Sequence, residues 1–102
     1  MYTIIGESER IYVVDGVSYI IIADRAIAFS YDSSSENIII PETVEGYPVT
    51  ELKETFNKCY ILKNVTIPDS VTKIGKNTFS ECSLTNIEIP NSVTVIGDGA
   101  FS

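Results

Sequence analysis

The sequence predicts a short, mainly β solenoid of about three coils, closed at its N-terminal end by an antiparallel β cap. Three observations support this prediction. The motif of residues 65–80 recurs as residues 87–102, in the same register at an offset of 22 residues, and a looser copy lies at residues 38–59. A hairpin pattern precedes all three copies. A fixed period of roughly 20–50 residues is typical of proteins built from stacked repeats.

The two close copies agree in register throughout. Each starts with apolar residues at alternate positions, which predicts a short strand with inward-facing side chains, and Pro68 or Pro90 then ends its backbone hydrogen bonding. A second short strand is predicted at Ile74 and Ile96. Stacking of the copies predicts these ladders of core side chains: Leu62/Leu84, Val65/Ile87, Ile67/Ile89, Ile74/Ile96 and Phe79/Phe101.

The residues after each second strand predict a corner. Gly75 and Gly97 are expected to supply a positive φ there, and residues 77–81 are expected to form one helical turn that places Phe79 and Cys82 in the core. Cys59 and Cys82 occupy the same repeat position. Because stacked side chains point in parallel, which suits a disulfide poorly, we expect two buried, reduced thiols.

The first copy departs from the other two. Residues 45–48 are inserted after its strand, Lys53 replaces the glycine, and the chain between Cys59 and Pro68 is one residue longer, which predicts a bulge near residues 60–61. Terminal repeats are expected to be atypical because they close the stack.

The N-terminal part predicts an antiparallel meander over residues 11–31. Asp15 and Gly16 separate two β-rich runs and suit a tight hairpin turn. Residues 23–26 predict a second turn, and residues 32–36 are a polar loop. Residues 1–10 are expected to be a mobile or loosely docked lead. We therefore expect a cap over residues 1–36 and repeats over residues 37–102, the last one incomplete, in one continuous domain.

The repeats carry a family resemblance. The pattern Leu-x-x-Ile-x-Ile-Pro-x-Ser-Val-x-x-Ile-Gly-x-x-x-Phe-x-x-Cys runs from Leu62 to Cys82 and again from Leu84 to Phe101, and it resembles the BspA-type leucine-rich repeat. Residues 45–50 resemble the first repeat of such proteins. The resemblance covers about two-thirds of the chain. It implies a leucine-rich-repeat solenoid with about three repeats of 22–27 residues.

Composition excludes several kinds of partner. The net charge is −7 and the pI is about 4.3, whereas nucleic acids and anionic membranes bind basic surfaces. No apolar run is long enough to cross a bilayer. Residues 1–6 lack the basic start and long apolar core of a signal peptide. We expect no nucleic-acid partner, no membrane insertion and no signal peptide in this chain.

Catalysis also finds little support. The chain has no His, which removes the commonest general base and metal ligand, and its two thiols fall at core positions. The carboxylates form no calcium-binding loop, and no phosphate-binding glycine loop is present. We predict a non-enzymatic protein without catalytic, cofactor-binding or metal-binding residues. The alternative left open is an enzyme that acts on a glycan through paired carboxylates.

The outward strand positions are the predicted interaction face, because inward residues fix the coil while outward residues vary freely. They are Lys63, Thr66, Thr85 and Glu88, and Tyr47 and Tyr60 join them as residues expected to be exposed in insertions. The family resemblance implies a protein-interaction module of a bacterial or protist cell-surface or secreted adhesion protein, with a protein or host-surface ligand. The alternative is a structural spacer or capping segment of a larger protein.

The chain stops in the middle of a repeat, after Phe101 and Ser102. An uncapped coil leaves apolar side chains and strand edges open. Two explanations stay open: the chain is a fragment of a longer array, which we favour, or a second copy covers the open end by self-association.

Overall fold

The computed structural model describes residues 2–4, by their backbone, and residues 10–102. These residues form strands joined by turns and contain no helix. The strands are β1 (Tyr2–Ile4), β2 (Arg10–Val14), β3 (Val17–Ile22), β4 (Arg25–Tyr31), β5 (Asn37–Ile39), β6 (Thr43–Val44), β7 (Tyr47–Leu52), β8 (Asn64–Thr66), β9 (Lys73–Ile74), β10 (Asn86–Ile87) and β11 (Val95–Ile96).

Two sheets enclose the core of the solenoid. The larger sheet has the order β1-β2-β3-β4-β7-β9-β11, with β6 paired to β7, and the smaller sheet has the order β5-β8-β10. Strands β1 to β4 are antiparallel, whereas β4, β7, β9 and β11 run parallel to one another. Each later coil therefore contributes one short strand to each sheet. The predicted mainly β solenoid with an antiparallel β cap is confirmed.

The cap forms as the sequence indicates. Asp15 and Gly16 make the hairpin turn with φ angles of 49° and 81°, the mirror-image geometry that fits the twist of the flanking strands. Ala28 of β4 pairs in parallel with Leu52 of β7, so the sheet of the cap continues into the solenoid and covers its first coil. The division at residue 36 stays a prediction.

We expected residues 1–10 to be mobile or loosely docked, and for the residues that the structure describes this prediction is wrong. Tyr2–Ile4 is a strand that pairs antiparallel with β2, with Tyr2 opposite Tyr12 and Ile4 opposite Arg10. Residue 1 and residues 5–9 lie outside the described residues. Backbone pairing with β2 holds this strand even though its sequence is too short to show a strand period.

Three of the predicted ladders are confirmed as pairings, although Ile96 and Phe101 at their outer end are about half exposed instead of buried. Val65 pairs with Ile87 in the smaller sheet, and Ile74 pairs with Ile96 in the larger one. The aromatic ladder extends over three coils, with 5.4 Å between the ring centroids of Phe56 and Phe79 and a further 5.3 Å to the next ring, that of Phe101. Parallel rings at this spacing add to the stabilisation from burial alone.

The reason for glycine at the corner differs from the predicted one. Gly75 and Gly97 do not adopt a positive φ; Asn77 and Gly99 do, at 56° and 69°. A Cβ atom on Gly97 would instead lie 2.5 Å from the backbone nitrogen of Lys76. The glycines are therefore required by the close approach of successive coils.

The predicted helical turn at residues 77–81 is wrong. The segment forms successive tight turns, in which the amide of Ser80 donates to the carbonyl of Asn77 and the amide of Cys82 donates to that of Phe79. Asn77 and Glu81 have φ angles of 56° and 58°, which a right-handed helix does not admit. The turns still bury Phe79, as expected.

The two cysteines are free thiols in different environments. Cys59 is buried and Cys82 is half-buried, so the expected full burial is confirmed only for Cys59. The Cys82 thiol donates to the carbonyl oxygen of Phe56 at 3.0 Å. Burial raises the pKa of the Cys82 thiol, so the neutral form that donates this bond is favoured.

Tyr19 is expected to be destabilising through its hydroxyl group. Its side chain is fully buried, and within the described residues its hydroxyl has no hydrogen-bond partner; burial, with a smaller contribution from Asp15, raises its pKa. Because an unpaired buried hydroxyl costs roughly 1–3 kcal/mol, Tyr19→Phe should raise the free energy of unfolding by about 1 kcal/mol in urea titrations. The control, Tyr12→Phe, should bring no gain because Tyr12 bonds Arg10. A loss of stability in Tyr19→Phe would show a bonded hydroxyl.

Candidate functional site

The outer face of the smaller sheet is the candidate site. Its parallel register places equivalent residues of successive coils side by side, about 4.8 Å apart as in any sheet. Val65 and its neighbours in the ladder point into the core, so the alternate residues point outward. This alternation gives two exposed rows, which are Asn37, Asn64 and Asn86, and Ile39, Thr66 and Glu88. A third exposed row, Glu36, Lys63 and Thr85, lies in the segments that lead into the strands.

The structure brings four of the predicted residues together on this face. Lys63, Thr66, Thr85 and Glu88 are all exposed. The amide of Thr85 donates to the carbonyl of Lys63 at 3.0 Å, and the strand register places Glu88 beside Thr66. The ammonium group of Lys63 lies 3.6 Å from a carboxylate oxygen of Glu36. Both side chains are largely exposed, so this pair contributes little to stability.

Sequence reasoning missed two features of the face. Asn64 donates from Nδ2 to Oδ1 of Asn37 at 2.6 Å, which joins neighbouring coils through their side chains. Ile39 has 71% of its surface exposed. The recurrence of Asn64 as Asn86 could have indicated the amide row. Ile39 could also have been found from the repeat, because it aligns with the outward residues Thr66 and Glu88, although it lies in an unbroken apolar run.

Tyr47 and Tyr60 lie elsewhere. Tyr47 belongs to β7 of the larger sheet and is half-buried, against the expectation that it is exposed. Its hydroxyl accepts a hydrogen bond from Nη2 of Arg10 at 3.2 Å, and the guanidinium lies 5.6 Å from its ring centroid. Tyr60 lies in the turn after Cys59 and has 62% of its surface exposed. Neither tyrosine belongs to the outer face of the smaller sheet.

The chemistry of the face is that of hydrogen bonding. Its carboxamides and hydroxyls surround a shallow groove of about 270 Å³ over β8 and β10. Among the described residues, no three His, Cys, Asp or Glu side chains cluster as a metal site would require. No helix in that part of the chain is long and apolar enough to cross a membrane. The face can thus contact a partner through many weak polar interactions around one apolar side chain.

The last coil is open on its outer side. Phe101 stacks on Phe79 but has 45% of its surface exposed, and Val95 and Ile96 of β11 are about half exposed. Within the described residues, β10 and β11 are the edge strands of their sheets at this end. Apolar side chains therefore meet unpaired strand edges here.

Comparison with known proteins agrees with this architecture. The solved structure of a leucine-rich cell surface protein of Faecalibacterium prausnitzii matches 90% of this chain, with 19% sequence identity and a TM-score of 0.43. The match covers 52% of the F. prausnitzii chain. This chain also matches the leucine-rich repeat protein of T. pallidum over 88% of its length, with 20% identity, a TM-score of 0.51 and 65% of that chain covered. The chain thus spans between half and two-thirds of the length of these proteins. The likeness to the T. pallidum protein supports the fold.

No curated protein sequence matches the chain. The family model described as the BspA type leucine rich repeat region matches residues 21–102, with six copies. This match starts within β3, so it includes the end of β3 and all of β4 in addition to the three coils. Since it covers well over half of the sequence, the chain belongs to the BspA-type leucine-rich repeat family.

Proposed function

We propose that this protein binds a partner protein through the outer face of the smaller sheet. The observation that carries the proposal is the set of three exposed rows across β5, β8 and β10, in which four outward positions predicted from the sequence lie together. Repeat proteins use such extended surfaces for recognition, because the stacked core fixes the backbone while the outward residues are unconstrained.

The composition of the face supports a protein ligand. Amide and hydroxyl groups offer both donors and acceptors, and Lys63 and Glu36 carry opposite charges in close proximity. Ile39 provides an exposed apolar side chain at the edge of the polar rows. A polar surface around an apolar contact is the usual anatomy of a protein interface.

A more specific proposal concerns where the protein is located and what kind of ligand it binds. The BspA-type family supports a bacterial cell-surface or secreted protein of the adhesion type, with a protein or host-surface ligand. We propose this role for the chain and expect no catalysis from it, in line with a face that offers hydrogen-bonding groups but no arranged nucleophile and base.

Replacing Thr66, Thr85 and Glu88 together by Arg should weaken binding at least about tenfold. Saturable binding would be measured with labelled protein on an array of immobilised extracellular proteins and glycans. Three long cationic side chains would cover the groove and reverse the local charge, so a ligand that uses this face must lose contacts. Substitutions in a binding interface lower the affinity mainly by raising the dissociation rate.

The matched control carries three Arg residues on the other sheet and its adjoining turn, in place of Thr72, Thr94 and Glu81. These positions are also exposed, and Thr94 bonds the carbonyl of Thr72 as Thr85 bonds that of Lys63. The control should bind as the parent does. Equal losses in both triple variants would point to net charge as the cause, and unchanged binding in the first would remove this face as the site.

Contact through the open last coil is the second candidate, favoured by the exposure of Val95, Ile96 and Phe101. In that case, the coil pairs with a second copy or with another protein surface, and Ile96→Asp is the variant that reports on it. If the chain is only a structural spacer, neither the triple Arg substitution nor Ile96→Asp should change any binding.

A further inference from the structure

The outer face of the cap is apolar and only partly covered: Ile27 at its centre is 7% exposed, and the apolar side chains around it are half-buried. Strands β2, β3 and β4 bury Tyr19, Ile21 and Ala28 on their inner face. On the outer face, Ile11 pairs with Ile20 and Ile20 pairs with Ile27. A groove of about 550 Å³ lies there, lined by Ile11, Ile20, Ile22, Ile27, Phe29, Lys53 and Glu54. Antiparallel sheets that face water are normally polar on that side, so this face has the composition of a contact surface.

Lys53 borders the groove and departs from the repeat pattern. Its amide donates to the carbonyl of Ala28, just as the amide of Gly75 donates to that of Leu52 in the next coil, so the two positions are equivalent. A Cβ atom on Gly75 would lie 3.0 Å from the carbonyl oxygen of Leu52. The first coil stacks on β4 of the cap instead of on another coil. A lysine fits there and extends beside the groove.

Glu54 also departs from the pattern, at the cost of backbone strain. Its φ angle is 52°, a left-handed conformation that L residues with long side chains adopt rarely. The equivalent residues of the next two coils, Asn77 and Gly99, are types that tolerate this conformation. Lys58 and Glu81 adopt the same conformation in the neighbouring turns, with φ angles of 59° and 58°, so the charge of Glu54 and not its backbone is particular to this position. The two departures from the repeat thus lie next to each other, and both carry a charge to the groove.

We infer that this groove is the docking surface for a second copy of the chain. The argument is electrostatic. The chain carries a net charge of −7, so two copies repel each other at most contacts. The border of the groove is neutral, because Lys53 balances Glu54. A two-fold arrangement sets Lys53 of each copy against Glu54 of the other, with the apolar groove residues buried between them, and every contact occurs twice.

Such a dimer leaves the outer face of the smaller sheet available. The groove belongs to the larger sheet and the proposed binding face belongs to the smaller one. The dimer would therefore present two copies of that face. Two linked faces on one particle raise the effective affinity for a repetitive surface without any new contact.

Sedimentation velocity of the 102-residue chain over a wide concentration range tests the inference. The parent should show a reversible monomer–dimer equilibrium. Glu54→Lys places lysines of both copies against each other and should raise the dissociation constant at least about tenfold. The charge swap Lys53→Glu with Glu54→Lys restores the pairing in the opposite sense and should recover the dimer.

Glu54→Asn separates binding from folding. It should melt at a temperature no lower than the parent, because asparagine tolerates the left-handed conformation, and yet it should dimerise more weakly. Ile20→Asp should abolish dimerisation. A parent that stays monomeric at every concentration would overturn the inference. So would a dimer that Glu54→Lys leaves intact, or one that Ile96→Asp dissociates while Ile20→Asp does not, since that result would place the interface at the open last coil.

Discussion

Phe79→Ala is expected to lower the free energy of unfolding by about 3–5 kcal/mol, the usual cost of deleting a buried aromatic ring. The ring is almost fully buried and stacks between Phe56 and Phe101, with ring planes within 5° and 17° of parallel. No neighbouring side chain can fill the gap without breaking the ladder. Because domains of this size are stable by only roughly 5–15 kcal/mol, urea titration should show a much lower midpoint or a largely unfolded variant.

Phe101→Ala is the matched control for this prediction. It removes the same ring from the same ladder, but Phe101 is half exposed and has a ring on one side only. The expected loss is about 1–2 kcal/mol, from the smaller apolar area involved. Equal losses at Phe79 and Phe101 would contradict the view that stacking on both sides makes the middle coil the most stable part of the array.

The ladders could be predicted from the sequence because each repeat has the same pattern of apolar and polar residues. Val65 and Ile87 are apolar at equivalent positions, and identical coils can stack in only one register without placing an apolar side chain in water. The hairpin at Asp15 and Gly16 was equally predictable, since that dipeptide fits few other structures. Strong local preference and the global fold agree at these places.

The corner was predicted for the wrong reason because the decisive contact is not local. Gly75 and Gly97 looked like residues needed for a positive φ, but the constraint on each is the backbone of the preceding coil. The positive φ angles fall two residues later, at Asn77 and Gly99. Tyr47 shows the same limit: its contact with Arg10 joins residues 37 positions apart, and nothing in the neighbouring sequence indicates it.

The candidate site was predicted in part for similar reasons. Alternation along β8, and along β10 and the residue after it, shows that Thr66 and Glu88 point outward, so these residues could be named. The groove on the cap could not, because the run Ile20-Ile21-Ile22 is apolar at every position and gives no sign of which face is open. A continuous apolar run predicts a strand covered on both faces. Here the solenoid buries one face, and the other face is only partly covered.

Gly97→Ala is expected to detach the last coil locally, with a loss of about 1–3 kcal/mol typical of overpacking. The added Cβ atom would lie within 2.9 Å of three backbone atoms, one in Gly75 and two in Lys76. Backbone cannot move aside as a flexible side chain can, so the coil that carries residue 97 must move away. The hydrogen bonds from Thr94 to Thr72 and from Gly97 to Ile74 should then open.

Amide hydrogen exchange would show this change as faster exchange at residues 94 and 97, with little change in the cap, because local opening of a terminal coil need not unfold the rest. Gly46→Ala is the control. Gly46 has a φ of 84° but no atom near its Cβ position, so its substitution adds strain of about 1 kcal/mol without a clash. If Gly97→Ala left the exchange of the last coil unchanged, the close approach of successive coils would not be what requires glycine at this corner.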